Sequence, residues 1–414
     1  MPEEPTGKVT VRMYDVGFGD CFLLSFGYRD ADDRHVMIDC GTIKGADRLD
    51  QSVRQLRDDC RLQSTGQPKL QAMVFTHRHA DHISGFGSKA RTKILRSLDP
   101  EVILLGWTED PGARRDATKP DPKYTAADRE YVAQLAAAHD FAELLDNNPA
   151  DLKPYGYDAT LTNAQALDVL AELSDKCRYL CAGQEGVLED VLPGVKVTVL
   201  APPTLEEWPG LGQHVASEEK EYWENEKAFA QLRLGQRPDP ARELPRLKGT
   251  EMSLRRASSV TCYFVNRLER QRGWHMMRLV RTLDAELNNT SLVLLFEVGE
   301  VKLLFPGDAE PNSWNFVFSD KGAGVPKDLD LLKIGHHGSA NATPRAQLWD
   351  QLENLSEDED APGRLVTMLS TKDGCWDTIP AWELREAVRQ KTHLLSTYEK
   401  DQQGGPWVIE LPRG

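Results

Sequence analysis

Long apolar runs are missing from this chain of 414 residues. None approaches the roughly 18 residues that a membrane-spanning helix requires, so no such helix is expected. The opening Met1-Pro2-Glu3-Glu4-Pro5 is acidic and carries no apolar core, unlike a secretory leader. Cysteine is scarce: there are seven, an odd number, with no Cys-x-x-Cys spacing. That argues against a disulfide framework and suits reduced thiols in a cytoplasmic protein. Cys177 and Cys181 read as two core thiols at helical spacing, a shared metal site being the alternative. Basic residues are outnumbered, 50 against 65 acidic ones, for a net charge of −15. A broad duplex-binding surface is therefore not expected, although a local basic patch or metal ions can still hold phosphate. No internal repeat of short fixed period is visible. What remains, 40% hydrophobic and 28% charged residues, is the composition of a globular chain able to bury a large core.

One stretch stands apart: Met73-Val74-Phe75-Thr76-His77-Arg78-His79-Ala80-Asp81-His82. Its first part reads as a buried strand and its second as the loop that leaves it. His77, His79, Asp81 and His82 fall at a spacing that neither a helix face nor a strand face requires. Imidazole nitrogen and carboxylate oxygen are the donors that hold zinc and similar divalent ions. Two other strand ends carry the same residue types. A hairpin over 291–305 ends in Pro306-Gly307-Asp308, and a strand over 329–334 runs into Gly335-His336-His337-Gly338-Ser339. Further strands are expected near 9–16, 21–26, 35–41, 102–105, 194–200, 365–370 and 407–411, and helices over 47–62, 126–176 and 380–390. Strand ends on one edge of a sheet sandwich can converge, so residues far apart in the chain can build one site.

These motifs resemble the metallo-β-lactamase superfamily of hydrolases, whose His-x-His-x-Asp-His signature His77 to His82 matches. The likeness extends to the ComEC-like DNA-uptake hydrolase domains, through Asp15 to Asp20, Ile38 to Gly41, Asn289 to Val293, Pro306 to Asp308 and His336 to Ser339. It covers residues 8–105, 190–203 and 287–375. The resemblance implies an α/β fold, a four-layer αββα sandwich forming a single domain over 1–414 with two insertions. The first, 106–189, is expected to be mostly helical, and the second, 204–286, helical and locally basic.

Carried over by position, His77 and His79 would hold one divalent ion and Asp81 and His82 a second. Asp308 would bridge the pair and His337 would complete the second site, His336 being the alternative ligand or a proton donor. Asp39, Asn289 and Lys333 would stand behind the ligands. For Asp15 and Asp20 a turn role and a site role are equally open. Many superfamily members place a further His before the bridging Asp; this chain has Asn288-Asn289-Thr290-Ser291 there. The ion on His77 and His79 would then occupy an open site, or be manganese rather than zinc. The implied chemistry is attack by a hydroxide held between two ions about 3.5–4 Å apart. Asp81 would position it, and Ser339 with the backbone N–H groups after His337 would hold a phosphate oxygen. The remaining histidines, His35, His139, His214, His275 and His393, read as ordinary, with His275 kept as a spare ligand.

Between 242 and 281 the charge balance reverses: ten basic residues face three acidic ones, with Tyr263, Phe264 and Trp274 among them. A solvated helix face and a phosphate-binding arm are both open readings of this window. The expected function is a metal-dependent phosphodiesterase or nuclease acting on DNA or RNA, single strands suiting aromatic stacking better than duplex. One rival is a hydrolase of a cyclic nucleotide, lactone or β-lactam. Another is a non-catalytic protein that binds a partner through a degenerate metal site.

Overall fold

The computed structural model describes residues 4–146, 163–212, 285–372, 374–375, 379–398 and 405–413. The basic window 242–281, His214 and His275 lie outside the described residues.

Thirteen strands are described. The first six are β1 (Pro5–Met13), β2 (Cys21–Tyr28), β3 (Arg34–Cys40), β4 (Ala72–Val74), β5 (Val102–Gly106) and β6 (Cys177–Leu180). They are followed by β7 (Lys196–Ala201), β8 (Val293–Val298), β9 (Val301–Phe305), β10 (Leu331–Lys333), β11 (Val366–Leu369), β12 (His393–Ser396) and β13 (Trp407–Leu411). They form two mixed sheets, ordered β13-β1-β2-β3-β4-β5-β6 and β12-β11-β10-β9-β8-β7. The two sheets repeat one design. In the first, β1, β2 and β3 run antiparallel and β3 to β6 run parallel. In the second, β7, β8 and β9 run antiparallel and β9 to β12 run parallel. β13 joins the first sheet antiparallel to β1.

Parallel neighbours need a crossover, and helices supply most of these. α1 (Ala46–Asp59) links β3 to β4, while α2 (Ala80–Ile83) and α3 (Lys89–Ser97) link β4 to β5. α4 (Ala126–Asp146) and α5 (Ala164–Glu172) lie between β5 and β6. α6 (Pro311–Val317) links β9 to β10 and α7 (Trp382–Lys391) links β11 to β12. α1 buries Leu49, Val53 and Leu56, the i, i+4, i+7 stripe of an amphipathic helix.

Strand alternation divides the apolar residues between layers. Phe22 and Leu24 of β2 join Val199, Leu294, Phe296, Phe305 and Val366 in a core drawn from both sheets. Leu23, between them in sequence, packs instead with Leu49, Val53, Leu56 and Leu95 from α1 and α3. On the second sheet Leu304 and Leu332 pack with Trp314, Phe316 and Val388 from α6 and α7. Both sheets are thus apolar on both faces, which explains why β2, β3, β5 and β8 read as near-continuous apolar runs.

Two strands were not anticipated, β6 and β12. Each has four residues and pairs at or near a sheet edge, too short to show a period. β6 also corrects the cysteine reading. Helical structure ends before Cys177, which begins the strand, and Cys181 follows its end; both are half-buried free thiols. Among the described residues no helix is long and apolar enough to cross a membrane.

Candidate metal centre

Strands β3 and β4 of one sheet and β9, β10 and β11 of the other end at one place. β4 leads through Phe75 to Thr76, whose N–H and hydroxyl each donate to Asp39 at 2.8 Å. Asp39 lies in β3 with φ of 54°, a left-handed conformation uncommon outside glycine. The loop from His77 to His82 therefore hangs from a buried carboxylate on the neighbouring strand. Its backbone also lies directly on Gly41, where a Cβ would stand 2.4 Å from the Asp81 carbonyl carbon. The turn between β1 and β2 closes the far side: Asp20 N–H donates to the Asp81 carbonyl at 3.0 Å, and the Phe18 ring rests 4.3 Å from that of His337.

Asp81, His82, Asp308 and His337 each present a donor atom within 4.8 Å of the others. His82 Nε2 is 3.1 Å from Asp308 Oδ2 and 4.0 Å from Asp81 Oδ1. His337 Nε2 is 3.0 Å from Asp81 Oδ2 and 3.8 Å from Asp308 Oδ2. Ligands sharing an ion through bonds of about 2.0–2.2 Å are spaced in this way. Each imidazole is oriented from behind. Asp39 Oδ2 holds His82 Nδ1 at 2.8 Å, and the Ser370 carbonyl holds His337 Nδ1 at 2.9 Å, leaving Nε2 to face the cluster. His77 Nε2 and His79 Nδ1 approach to 2.9 Å, the spacing of two nitrogens at right angles on one ion with bonds of about 2.0–2.1 Å. Among the described residues no three-donor group includes these two.

The charge of the cluster is unbalanced. Asp20, Asp39, Asp81 and Asp308 bring four carboxylates, against which stands Lys333, 1% exposed. Lys333 Nζ lies 2.5 Å from Asp20 Oδ2 and 3.1 Å from Asp308 Oδ1, and donates to the Gly307 carbonyl at 2.9 Å. Burial works against its charge, but Asp20 and Asp308 outweigh burial and hold the ammonium protonated. Uncompensated buried charge is costly, so the surplus carboxylates draw in whatever cation they can. His82 registers the pull. Burial opposes its protonation, yet Asp308, Asp39 and Asp81 raise its pKa well above the usual imidazole range. Burial would raise Asp308 and Asp81; His82 leads the opposing charges, and both stay below the usual carboxylate range. His77 is driven the other way, by burial and then by His82 and His79, and stays neutral, the form that ligates metals. Imidazoles and carboxylates carrying surplus negative charge fit a divalent cation.

The residues singled out from sequence divide as follows. His77, His79, Asp81, His82, Asp308 and His337 come together, with Asp39 and Lys333 bonded behind them. His336 and His337 both have positive φ, 44° and 51°, and serve different neighbours. His337 enters the cluster, whereas His336 Nδ1 stands 3.3 Å from Glu310 Oε1, with Asn288 Nδ2 donating to the same oxygen at 3.0 Å. Asn289 turns to α6, its Oδ1 accepting from Ser313 N at 3.2 Å, and its Nδ2 donates to the Ala285 carbonyl at 2.9 Å. Ser339 closes the turn, its N–H donating to the His336 carbonyl at 2.8 Å. Asp15 accepts from Gly17 N and pairs with Arg48, a turn role, while Asp20 takes the site role beside Lys333.

Glu310 and Ser370 were not foreseen, although both follow strand ends on the edge that carries the motifs. His139 stands apart from the metal-type groups found among the described residues. It is 6% exposed on α4, its Nε2 has no hydrogen-bond partner, and burial followed by Arg78 and His79 lowers its pKa to about 3. No protein-family model matches the chain, and no curated protein is similar to it.

Proposed function

We propose that the chain is a metal-dependent phosphodiesterase of the metallo-β-lactamase fold, acting on nucleic acid in the cytoplasm. The observation that carries this reading is the convergence of Asp81 and His82 from one sheet with Asp308 and His337 from the other. The apolar layers support a four-layer αββα sandwich, with helices outside two facing sheets. The order of motifs along the chain is that of the ComEC-like hydrolases it resembles.

In this reading His77 and His79 would hold one Zn²⁺ or Mn²⁺ ion, and Asp81, His82 and His337 another, with Asp308 available to either. When bound, two such ions supply Lewis-acid polarisation of a phosphoryl oxygen and a lowered pKa for the attacking water. The chain's own groups do the positioning. Asp39 and the Ser370 carbonyl fix the ring orientations of His82 and His337. Lys333 and the His336 N–H occupy Asp308 Oδ1, leaving Oδ2 toward the two imidazoles. His336, with its side chain 17% exposed and Nδ1 held by Glu310, is the group at the rim able to give a proton to a departing alkoxide. The basic window 242–281 would contact the nucleic acid.

Metal analysis followed by assay of single-stranded DNA, RNA, cyclic dinucleotides and a chromogenic lactam, each with Mn²⁺ and Zn²⁺, tests the proposal. Phosphodiester hydrolysis that disappears in Asp81→Ala and His337→Ala is the expected result. Activity untouched by both substitutions would remove the site assignment. A small-molecule hydrolase is the second reading, and one observation favours it. A cavity of about 180 Å³ beside His77 is lined by Phe75, Leu105, Leu167, Leu170 and Tyr179, with Arg78 and Arg114. A cavity of about 150 Å³ already admits benzene. Lactam or lactone turnover without phosphodiester cleavage would select this second reading.

A further inference from the structure

Trp382 opens α7 and is 66% exposed, the most exposed large apolar side chain among the described residues. Its ring is nevertheless braced. The Arg385 guanidinium lies 4.8 Å from its centroid and 4.9 Å from that of Tyr398. Arg385 is largely buried, its side chain 16% exposed, and its Nη2 lies 3.5 Å from Glu386 Oε1. A planar cation between two rings fixes the tilt of the indole and leaves the ring's exposed surface to solvent.

This braced ring is attached to the metal loop. Ala381, the residue before Trp382, donates its N–H to the Gly338 carbonyl at 2.8 Å. Gly338 follows His337 and has φ of +86°, and a Cβ there would stand 2.8 Å from Pro380 Cβ. By standard bond lengths, no more than about 15 Å separates the Cα atoms of Trp382 and His337 along this path.

We propose that Trp382 is a stacking platform for a nucleobase of single-stranded nucleic acid, placed to hold the strand beside the metal centre. The inference rests on the phosphodiesterase reading and adds a binding site to it. A braced aromatic face that stays open to solvent suits the flat face of a base, whatever the sequence.

The test is fluorescence anisotropy of a labelled oligothymidylate with the full metal-loaded chain, a phosphorothioate backbone in every strand suppressing cleavage. Trp382→Ala is expected to weaken binding about 5- to 150-fold, the range for loss of one stacked base, and Trp382→Phe to retain most of the affinity. An abasic strand of equal charge should bind the unaltered chain as weakly as oligothymidylate binds Trp382→Ala. Circular dichroism shows whether the alanine variant folds, and the abasic strand repeats the test with no substitution. Equal affinity for abasic and base-bearing strands overturns the platform. So does an alanine variant whose only change is loss of self-association, which would assign the ring to a second copy of the chain. The two readings fail separately. Cleavage of DNA without dependence on Trp382 removes the platform alone. Base-dependent binding through Trp382 with no hydrolysis of any phosphodiester removes the hydrolase alone.

Discussion

Asp308 divides its two oxygens between different neighbours. Oδ1 accepts from Lys333 and the His336 N–H, and Oδ2 faces His82 and His337. Asp308→Ala should therefore lower bound metal sharply while leaving secondary structure intact, a result that metal analysis beside circular dichroism would read. Lys333→Met is a harsher change, because it leaves Asp20 and Asp308 buried without their cation. Breaking a buried pair from one side costs about 3–5 kcal/mol. Urea denaturation should show that loss, and show it reduced when divalent ions are added. A third residue-scale expectation concerns acid. His35 is buried beside Ser25, its Nδ1 2.9 Å from the hydroxyl, and burial followed by Arg12 lowers its pKa from 6.5 to about 4. Between those values the unfolded chain binds a proton that the native chain does not. Stability is thus complete above pH 6.5 and falls on acidification through that window, by up to about 3 kcal/mol. Urea midpoints at pH 7 and pH 4.5 should diverge less in His35→Gln than in the unaltered chain.

At the scale of elements, the site is a set of strand ends and the turns after them. Much of this is legible in sequence for a local reason. Candidate ligands packed into one loop, as from His77 to His82, must be written close together. A buried strand ending in Gly-Asp or His-His announces a turn where regular pairing stops. What escaped the reading depends on contacts distant in sequence. Asp20 and Asp15 flank the same glycine turn, and only the meeting of Asp20 with Lys333 separates their roles. Asn289 sits in a motif segment yet serves as an anchor for α6. His139 is buried through the packing of α4, which no spacing records. β6 and β12 are too brief to carry a period. The turn at Gly338 offers an element-scale test. With φ of +86° and Pro380 at its Cβ position, Gly338→Ala strains both the His337 loop and the segment leading into α7. A stability loss of about 1–3 kcal/mol is expected, with weaker metal binding by titration. An alanine variant with unaltered stability and unaltered metal affinity would show that the two segments are not coupled.

For the molecule as a whole, the repeated sheet design has a thermodynamic consequence. His77 to His82 and Asp39 belong to one sheet, and Asp308, Lys333 and His337 to the other. Neither sheet alone gathers the four-donor set, so an ion bound there acts as a reversible crosslink between the two halves. Such a crosslink is adjustable from outside the protein. Once free metal exceeds its dissociation constant, each tenfold rise should add about 1.4 kcal/mol to the stability of the fold. Chelation should lower the melting temperature, and graded metal should restore it along a logarithmic curve that calorimetry can follow. Sheet cohesion would then track the free divalent ion of its surroundings, and the unfolding temperature would measure metal affinity before any substrate is known.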